Sequence, residues 1–303
     1  MQSVGLVLHP QRDSAEAVEA VLSWAASRGI PVFGLKDEIT RLNCAAIPVA
    51  DEELARRAEL IVSLGGDGTM LRAMRLADRQ RASVLGVNLG KLGFLAEVDV
   101  PDLPGALSAI DEHKFTIEPR LAIDATLGTH TATAFNDVVV VRVPGDGSAF
   151  VAVRVAGQPF VSYAADAVIV ATPTGSTAYS FSAGGPIVSP AVEALLVTPA
   201  APHSAYNRGF VVSVDDTVAL DLLPASGRLA IEVDGQVARY AGPGDRIEIG
   251  SRPGAARVIR LGRTTFYERA RRKLRLTDSA EIPVTYSDSD GAAHLSDMPG
   301  RSS

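Results

Sequence analysis

Two hydrophobic periodicities divide this chain near residue 120, and no single repeating architecture accommodates both. Up to about residue 115, short β-branched runs alternate with segments of helical period. VGLVLH (4–9) reads as a strand ending at His9-Pro10. SAEAVEAVLSWAASRG (14–29) carries Val18, Val21, Leu22 and Ala25 at helical spacing, with Ser14 as N-cap and Gly29 as the stop. PVFGL, ELIVSL and SVLGVN read as further strands. DEELARRAEL (with Asp51 as N-cap), GTMLRAMRLADRQ and PDLPGALSAIDEH read as helices. Alternation of this kind predicts a parallel sheet flanked by helices.

Beyond residue 120 the runs are short, Val-rich and separated by Gly, Pro and Asp: LAIDATL, TATAFNDVVVVRV, AFVAVRVAGQPFV, DAVIVAT, GFVVSV, TVALDLL, RLAIEVDGQVARY, DRIEIG and ARVIRLG. Several alternate with period two, as in a β-sandwich. The one helix-like stretch among them follows TPTGSTAYSFSAGG. The expected organisation is an α/β domain with a parallel sheet over 1–120 and a β-rich, sandwich-like domain over 121–260. A basic segment over 261–276 then returns toward the first domain, and the polar, acidic tail over 277–303 reads as disordered.

Composition narrows the function classes. No run of about 18 apolar residues offers a membrane span. The N-terminus lacks the basic lead and apolar core of a secretory signal, so a cytoplasmic location is expected. The single cysteine, Cys44, excludes an internal disulfide and a cysteine-based zinc site, and the five histidines lack metal-ligand spacing. No metal site is read from the sequence. A net charge of −6 argues against a nucleic-acid partner. The basic run 257–276 is either a solvated helix face or last strand, or an attractor for a polyanionic substrate.

LGGDGT (64–69) joins the end of an apolar strand to the start of a helix, where α/β sheets bind ligands and unpaired helix N–H groups face anions. The glycines would let a phosphate approach the backbone. A carboxylate there repels phosphate, which makes sense if Asp67 takes the proton of a hydroxyl attacking a phosphoryl group. A tight turn with Asp67 as N-cap reads equally well. No P-loop and no G-x-G-x-x-G opens a helix.

Three further stretches are candidates. In NLGKLGFLAE (88–97), Phe94 either stacks on a base or packs in the core. In FNDVVVV (135–141), Asn136 and Asp137 either hold a diol or form a turn. YAADAVIVATPTGSTAYSFSAGGP (163–186) gathers hydroxyls and amides suited to a ligand with ribose and phosphate groups, or forms a polar surface loop. VDGQV (233–237) reads as a hairpin turn.

GGDGT, NLGKLGF, Asn136-Asp137 and TPTGSTAYSFSAGGP, in this order and together with APHS and RRKLR, resemble the NAD kinase family over roughly residues 1–276. GGDGT alone is shared with phosphofructokinases and with lipid kinases of the diacylglycerol and sphingosine type; the TPTGSTAY motif separates the NAD kinases from them. The resemblance implies transfer of the γ-phosphoryl group of ATP, or of a phosphoryl group of polyphosphate, to the 2′-hydroxyl of the adenosine ribose of NAD. Asp67 would activate that hydroxyl. Gly66 and Gly68 would make room for phosphate, with Thr69 among the substrate-binding residues.

By the same resemblance, Phe94 would lie against adenine, Asn136 and Asp137 would hold ribose hydroxyls, and Asp166 would contact the nicotinamide amide. Thr174, Thr177, Ala178, Tyr179 and Ser182 would line the dinucleotide pocket. A divalent ion, usually Mg²⁺, would come with ATP, and a homodimer or homotetramer would complete the sites. Ala165 and Ala167 flank Asp166 where the family usually has smaller or different residues, which bears on the choice between NAD⁺ and NADH. The alternatives are a lipid or sugar kinase of the same superfamily and a non-catalytic dinucleotide sensor.

Overall fold

A computed structural model describes residues 1–78, 80, 82–90 and 93–276; the expected disordered tail lies outside the described residues. The first part runs β1 (Val4–Leu8), α1 (Ala15–Ala26), β2 (Val32–Leu35), α2 (Lys36–Leu42), β3 (Ile47–Val49), α3 (Asp51–Arg57), β4 (Leu60–Gly65), α4 (Asp67–Ala77), β5 (Ser83–Asn88), β6 (Val98–Asp99) and α5 (Leu103–Asp111). Strands β3-β2-β1-β4-β5 lie parallel in that order. The strands are buried on both faces, which is why they read as continuous apolar runs. Trp24 and Ile110 pack on one face of the sheet, and Leu54, Met70 and Met74 on the other.

The second part comprises β7 (Thr116–Leu127), β8 (His130–Ala134), β9 (Asp137–Arg142), β10 (Ala149–Val155), β11 (Gln158–Ala165), β12 (Ala167–Ala171), α6 (Tyr179–Ser182), β13 (Ala194–Ala200), β14 (Phe210–Ser213), β15 (Val218–Leu222), β16 (Leu229–Val233), β17 (Gln236–Ala241) and β18 (Arg246–Arg260), followed by α7 (Phe266–Leu274). One antiparallel sheet has the order β14-β13-β12-β9-β16-β17. It packs on β7, β8, β10, β11, β15 and β18 through a Val-, Leu- and Ile-rich core, giving the sandwich.

β18 joins the two parts. Its first half pairs antiparallel with β15 and its last residues run parallel to β5, while β7 pairs with it along most of its length. The two runs DRIEIG and ARVIRLG are therefore one strand, with a register shift between Arg252 and Ala256. The 121 boundary falls inside β7.

Three local expectations need correcting. The cap of α3 is Ala50, and Asp51 is its first helical residue. Ser14 is the N-cap of α1 as expected, its carbonyl accepting the Val18 N–H at 2.9 Å, though its side chain makes no capping bond. Helical structure in the TPTG region lies within the motif, as a 3₁₀ turn over Gly175–Thr177 and then α6, because Gly184-Gly185 ends it at once. Residue 67 does not cap α4 either, since Gly66 holds that position. No helix among the described residues is long and apolar enough to cross a membrane.

Candidate active site

Asp67 is freed from capping its own helix and turns toward the loop after β5. Its Oδ2 accepts the Phe94 N–H at 3.0 Å and its Oδ1 accepts the Leu95 N–H at 3.0 Å. A third donor, Lys273 Nζ on α7, lies 3.0 Å from Oδ2. Gly93 makes this contact possible: a Cβ there would collide with Oδ1 and stand 2.8 Å from Asp67 Cγ. By contrast, a Cβ at Gly66 or Gly68 would meet nothing within 4 Å, so the loop backbone is open to a ligand. Thr69 is buried, with its side chain packed on Gly65.

A cleft of about 430 Å³ opens beside this loop, lined by His9, Arg12, Gly66–Thr69, Arg72, Arg75 and Gln236. Three arginines in one concavity suit a chain of phosphates. His9 Nδ1 accepts the backbone N–H groups of Gln11 and Arg12, each at 3.1 Å, which puts the ring proton of the neutral imidazole on Nε2. Burial, and then Arg12, Arg41 and Arg72, lower the His9 pKa from its ordinary 6.5, so the ring is mostly neutral at pH 7. Arg72 donates to Leu8 O at 2.6 Å and pairs with Glu38. Burial raises the Glu38 pKa despite the Leu8 N–H and Arg72.

Asn136 and Asp137 stand at the start of β9. They are held by a residue that reads in the sequence only as part of a turn. Asp234, whose side chain is fully buried, accepts the N–H groups of Phe135 at 3.1 Å, Asn136 at 2.7 Å and Asp137 at 3.3 Å. The same carboxylate pairs with Arg75 of α4 at 2.6 Å, tying the sandwich to the helix that begins at Asp67. The hairpin reading of VDGQV is correct, with Asp234 and Gly235 both at positive φ. That turn is what aims the Asp234 carboxylate back into the chain.

Asp137 is buried, and among the described residues its Oδ2 has no hydrogen-bond partner. Burial above all, then the carboxylates of Asp234 and Glu232, push its pKa from 3.8 to about 7; the Tyr179 N–H opposes them. The TPTG loop closes over Asn136. Thr172 N–H donates to Asn136 O at 2.9 Å, and a Cβ at Gly175 would collide with that same oxygen. Thr174 is buried and accepts from Arg120 at 3.0 Å. Thr177 donates to Thr174 O at 3.4 Å; Ala178 is half-buried, while Tyr179 and Ser182 are exposed.

The nicotinamide candidate stands apart from this group. Asp166 sits at the far end of β12 from Thr172, and the register pairs Ala171 with Asp137 but Ala167 with Val141. At roughly 3.3 Å per residue, most of a strand's length separates Asp166 from Asp137. Asp166 pairs instead with Arg142 at 2.5 Å. Phe94 is at the site but largely buried, with Lys273 Nζ 4.8 Å from its ring centroid.

Sequence reasoning missed Arg12, Arg72, Arg75, Asp234, Gln236 and Lys273. A signal for two of them was present: Thr69, Arg72 and Arg75 recur every three residues, which keeps them near one face of α4.

An open glycine loop at a strand's carboxyl end, a held carboxylate and a cleft rich in arginine define a phosphate-handling protein of the two-domain α/β plus β-sandwich class. The family comparisons agree. Residues 4–115 match the ATP-NAD kinase N-terminal domain, and residues 135–261 match the ATP-NAD kinase C-terminal domain. NAD kinase 1 of Streptomyces avermitilis is 38% identical over 98% of this chain and 96% of its own length. NAD kinase of Desulforamulus reducens is 39% identical over 91% of this chain and 98% of its own.

Among solved structures, yeast NADH kinase complexed with NADH superposes with a TM-score of 0.82 at 24% identity, covering 94% of this chain and 90% of that one. An NAD kinase from Archaeoglobus fulgidus in complex with ATP gives 0.70 at 23%, covering 91% and 99%. These two show the shared fold. The chain belongs to the NAD kinase family, a family of phosphotransferases.

Proposed function

We propose that this chain transfers the γ-phosphoryl group of ATP to the 2′-hydroxyl of the adenosine ribose of NAD, producing NADP. The observation that carries the reading is the setting of Asp67. Its carboxylate is fixed by the Phe94 and Leu95 amides beside the open Gly66 and Gly68 backbone, in the arginine cleft whose Arg75 pairs with the Asp234 that holds Asn136 and Asp137. The cleft would take the donor phosphates. Asn136 and the unpartnered Asp137 Oδ2 would take ribose hydroxyls.

In the transfer, the 2′-oxygen forms a bond to the γ-phosphorus as its proton passes to Asp67. The bond from that phosphorus to the bridging oxygen breaks, and its electron pair leaves on ADP. Catalysis is mainly positioning and neutralisation of charge. Among the described residues no cluster of three or more His, Cys, Asp or Glu side chains forms a metal site. The divalent ion, Mg²⁺ by the family resemblance, would arrive on the donor phosphates and supply charge neutralisation there.

Support for the two substrates comes from the yeast neighbour bound to NADH and the Archaeoglobus neighbour bound to ATP. Polyphosphate is a second donor to test. The distance of Asp166 from Asp137 along β12 supports an assembly in which a second copy supplies the nicotinamide contact.

The experiment is a matrix of ATP or polyphosphate against NAD⁺ or NADH with Mg²⁺, read by an NADP-specific dehydrogenase. Asp67→Asn is expected to lower turnover on the order of 10² to 10⁴-fold while the dinucleotide still binds. Near-normal turnover in that variant refutes the base.

A further inference from the structure

The basic run near the C-terminus does not form one solvated face. Arg260 and Arg269 are buried, and α7, capped by Thr265 with Glu268 in a reciprocal capping box, delivers Lys273 to the Asp67 carboxylate. We propose that Lys273 is a positioning residue for phosphoryl transfer, holding the Asp67 carboxylate so that Oδ1 is the oxygen that receives the proton. The inference rests on the kinase reading above.

A carboxylate offers about four acceptor positions, two on each oxygen. Oδ2 takes the Phe94 N–H and the Lys273 ammonium, both at 3.0 Å; among the described residues Oδ1 takes only the Leu95 N–H. The vacant position is therefore on Oδ1. Gly93 keeps the space beside that oxygen clear, because any Cβ there would occupy it. Without Lys273 each oxygen would have one vacancy, and the base would lose its preference for Oδ1.

The pair makes little sense as a stabilising device. Its side chains are 34% and 27% exposed, a setting in which ion pairs contribute little to folding. α7 itself buries only Arg269 and Ala270 of its nine residues. The Phe94 ring, 4.8 Å from the ammonium, fixes the lysine laterally without consuming an acceptor on Asp67.

The test compares Lys273→Met, Lys273→Arg and, as control, Arg272→Met, an exposed neighbour on the same helix. Lys273→Met should lower kcat on the order of 10-fold or more, the usual worth of a charge-assisted hydrogen bond, with KM for NAD and ATP within about twofold. Lys273→Arg should recover part of the loss. Amide hydrogen exchange at Phe94 and Leu95, measured without substrates, should quicken in Lys273→Met but not in the control.

Unchanged kcat in Lys273→Met, or a fall in KM for NAD alone, overturns the proposal; the latter would make the lysine a mere cover over Phe94. Unchanged exchange overturns it as well. If the wild-type chain makes no NADP with any donor, the kinase reading fails, and the exchange measurement still decides whether Lys273 holds Asp67.

Discussion

Asp137 gives the chain a pH dependence opposite in sign to that of an ion-paired carboxylate. Unfolded, it titrates near 3.8; folded, burial together with Asp234 and Glu232 raises it to about 7. Below both values the side chain is neutral in either state and carries no electrostatic penalty. As pH rises past 3.8, the unfolded chain loses this proton first, and the fold is disfavoured by about 1.4 kcal/mol per pH unit. The penalty levels off once the folded group ionises near 7. Across about three pH units it reaches about 4 kcal/mol, of which about 2.5 kcal/mol develops between pH 5 and 8.

Asp137→Asn removes the titration and leaves the buried volume almost unchanged. Urea unfolding of both proteins at pH 5, 6, 7 and 8 measures the effect. The stability of the variant relative to wild type should rise by about 2.5 kcal/mol from the lowest pH to the highest. Parallel curves would refute the argument. The same group couples to the substrate: Oδ2 has no partner of its own, so a ribose hydroxyl donating to it favours the ionised form. NAD binding to the wild type should therefore release protons near neutrality and weaken as pH falls below 7, and calorimetry in buffers of different ionisation enthalpy reads the proton release.

The sequence exposed the fold class because each half of the chain keeps one period. It failed where tertiary contacts, not local pattern, define an element. β13, ALLVTPA, is buried along its whole length and sits inside the sandwich sheet, yet it lacks the alternation that marks its neighbours. α2 and β3 are seven and three residues long, too short for periodicity to show. At the site, Asp67, Asn136 and the TPTG loop are legible because their residue types are costly in any other role. Asp234 was hidden by its own strong local signal: Asp-Gly is sufficiently explained by a hairpin. Lys273 was hidden by distance, since 206 residues separate it from its partner.

Two further perturbations separate chemistry from scaffold. Gly93→Ala places a methyl group against Asp67 Oδ1. It should abolish most NADP formation while circular dichroism and the unfolding midpoint stay close to wild type; retained turnover would show that the Asp67 setting is not required. Asp234→Ala should do the reverse of a local lesion. It leaves the Phe135, Asn136 and Asp137 amides without their acceptor and Arg75 without its partner, so both the sandwich loop and the start of α4 lose a shared anchor. Removing a buried, hydrogen-bonded charge of this kind costs on the order of 3 kcal/mol or more, which a urea titration would register. Asp234→Asn keeps one acceptor oxygen and should recover part of that stability without restoring the pull on Arg75. If the two variants are equally stable, the amide bonds contribute nothing and the Arg75 pair alone joins the halves; if Asn is as stable as wild type, the charge of Asp234 is dispensable to the fold.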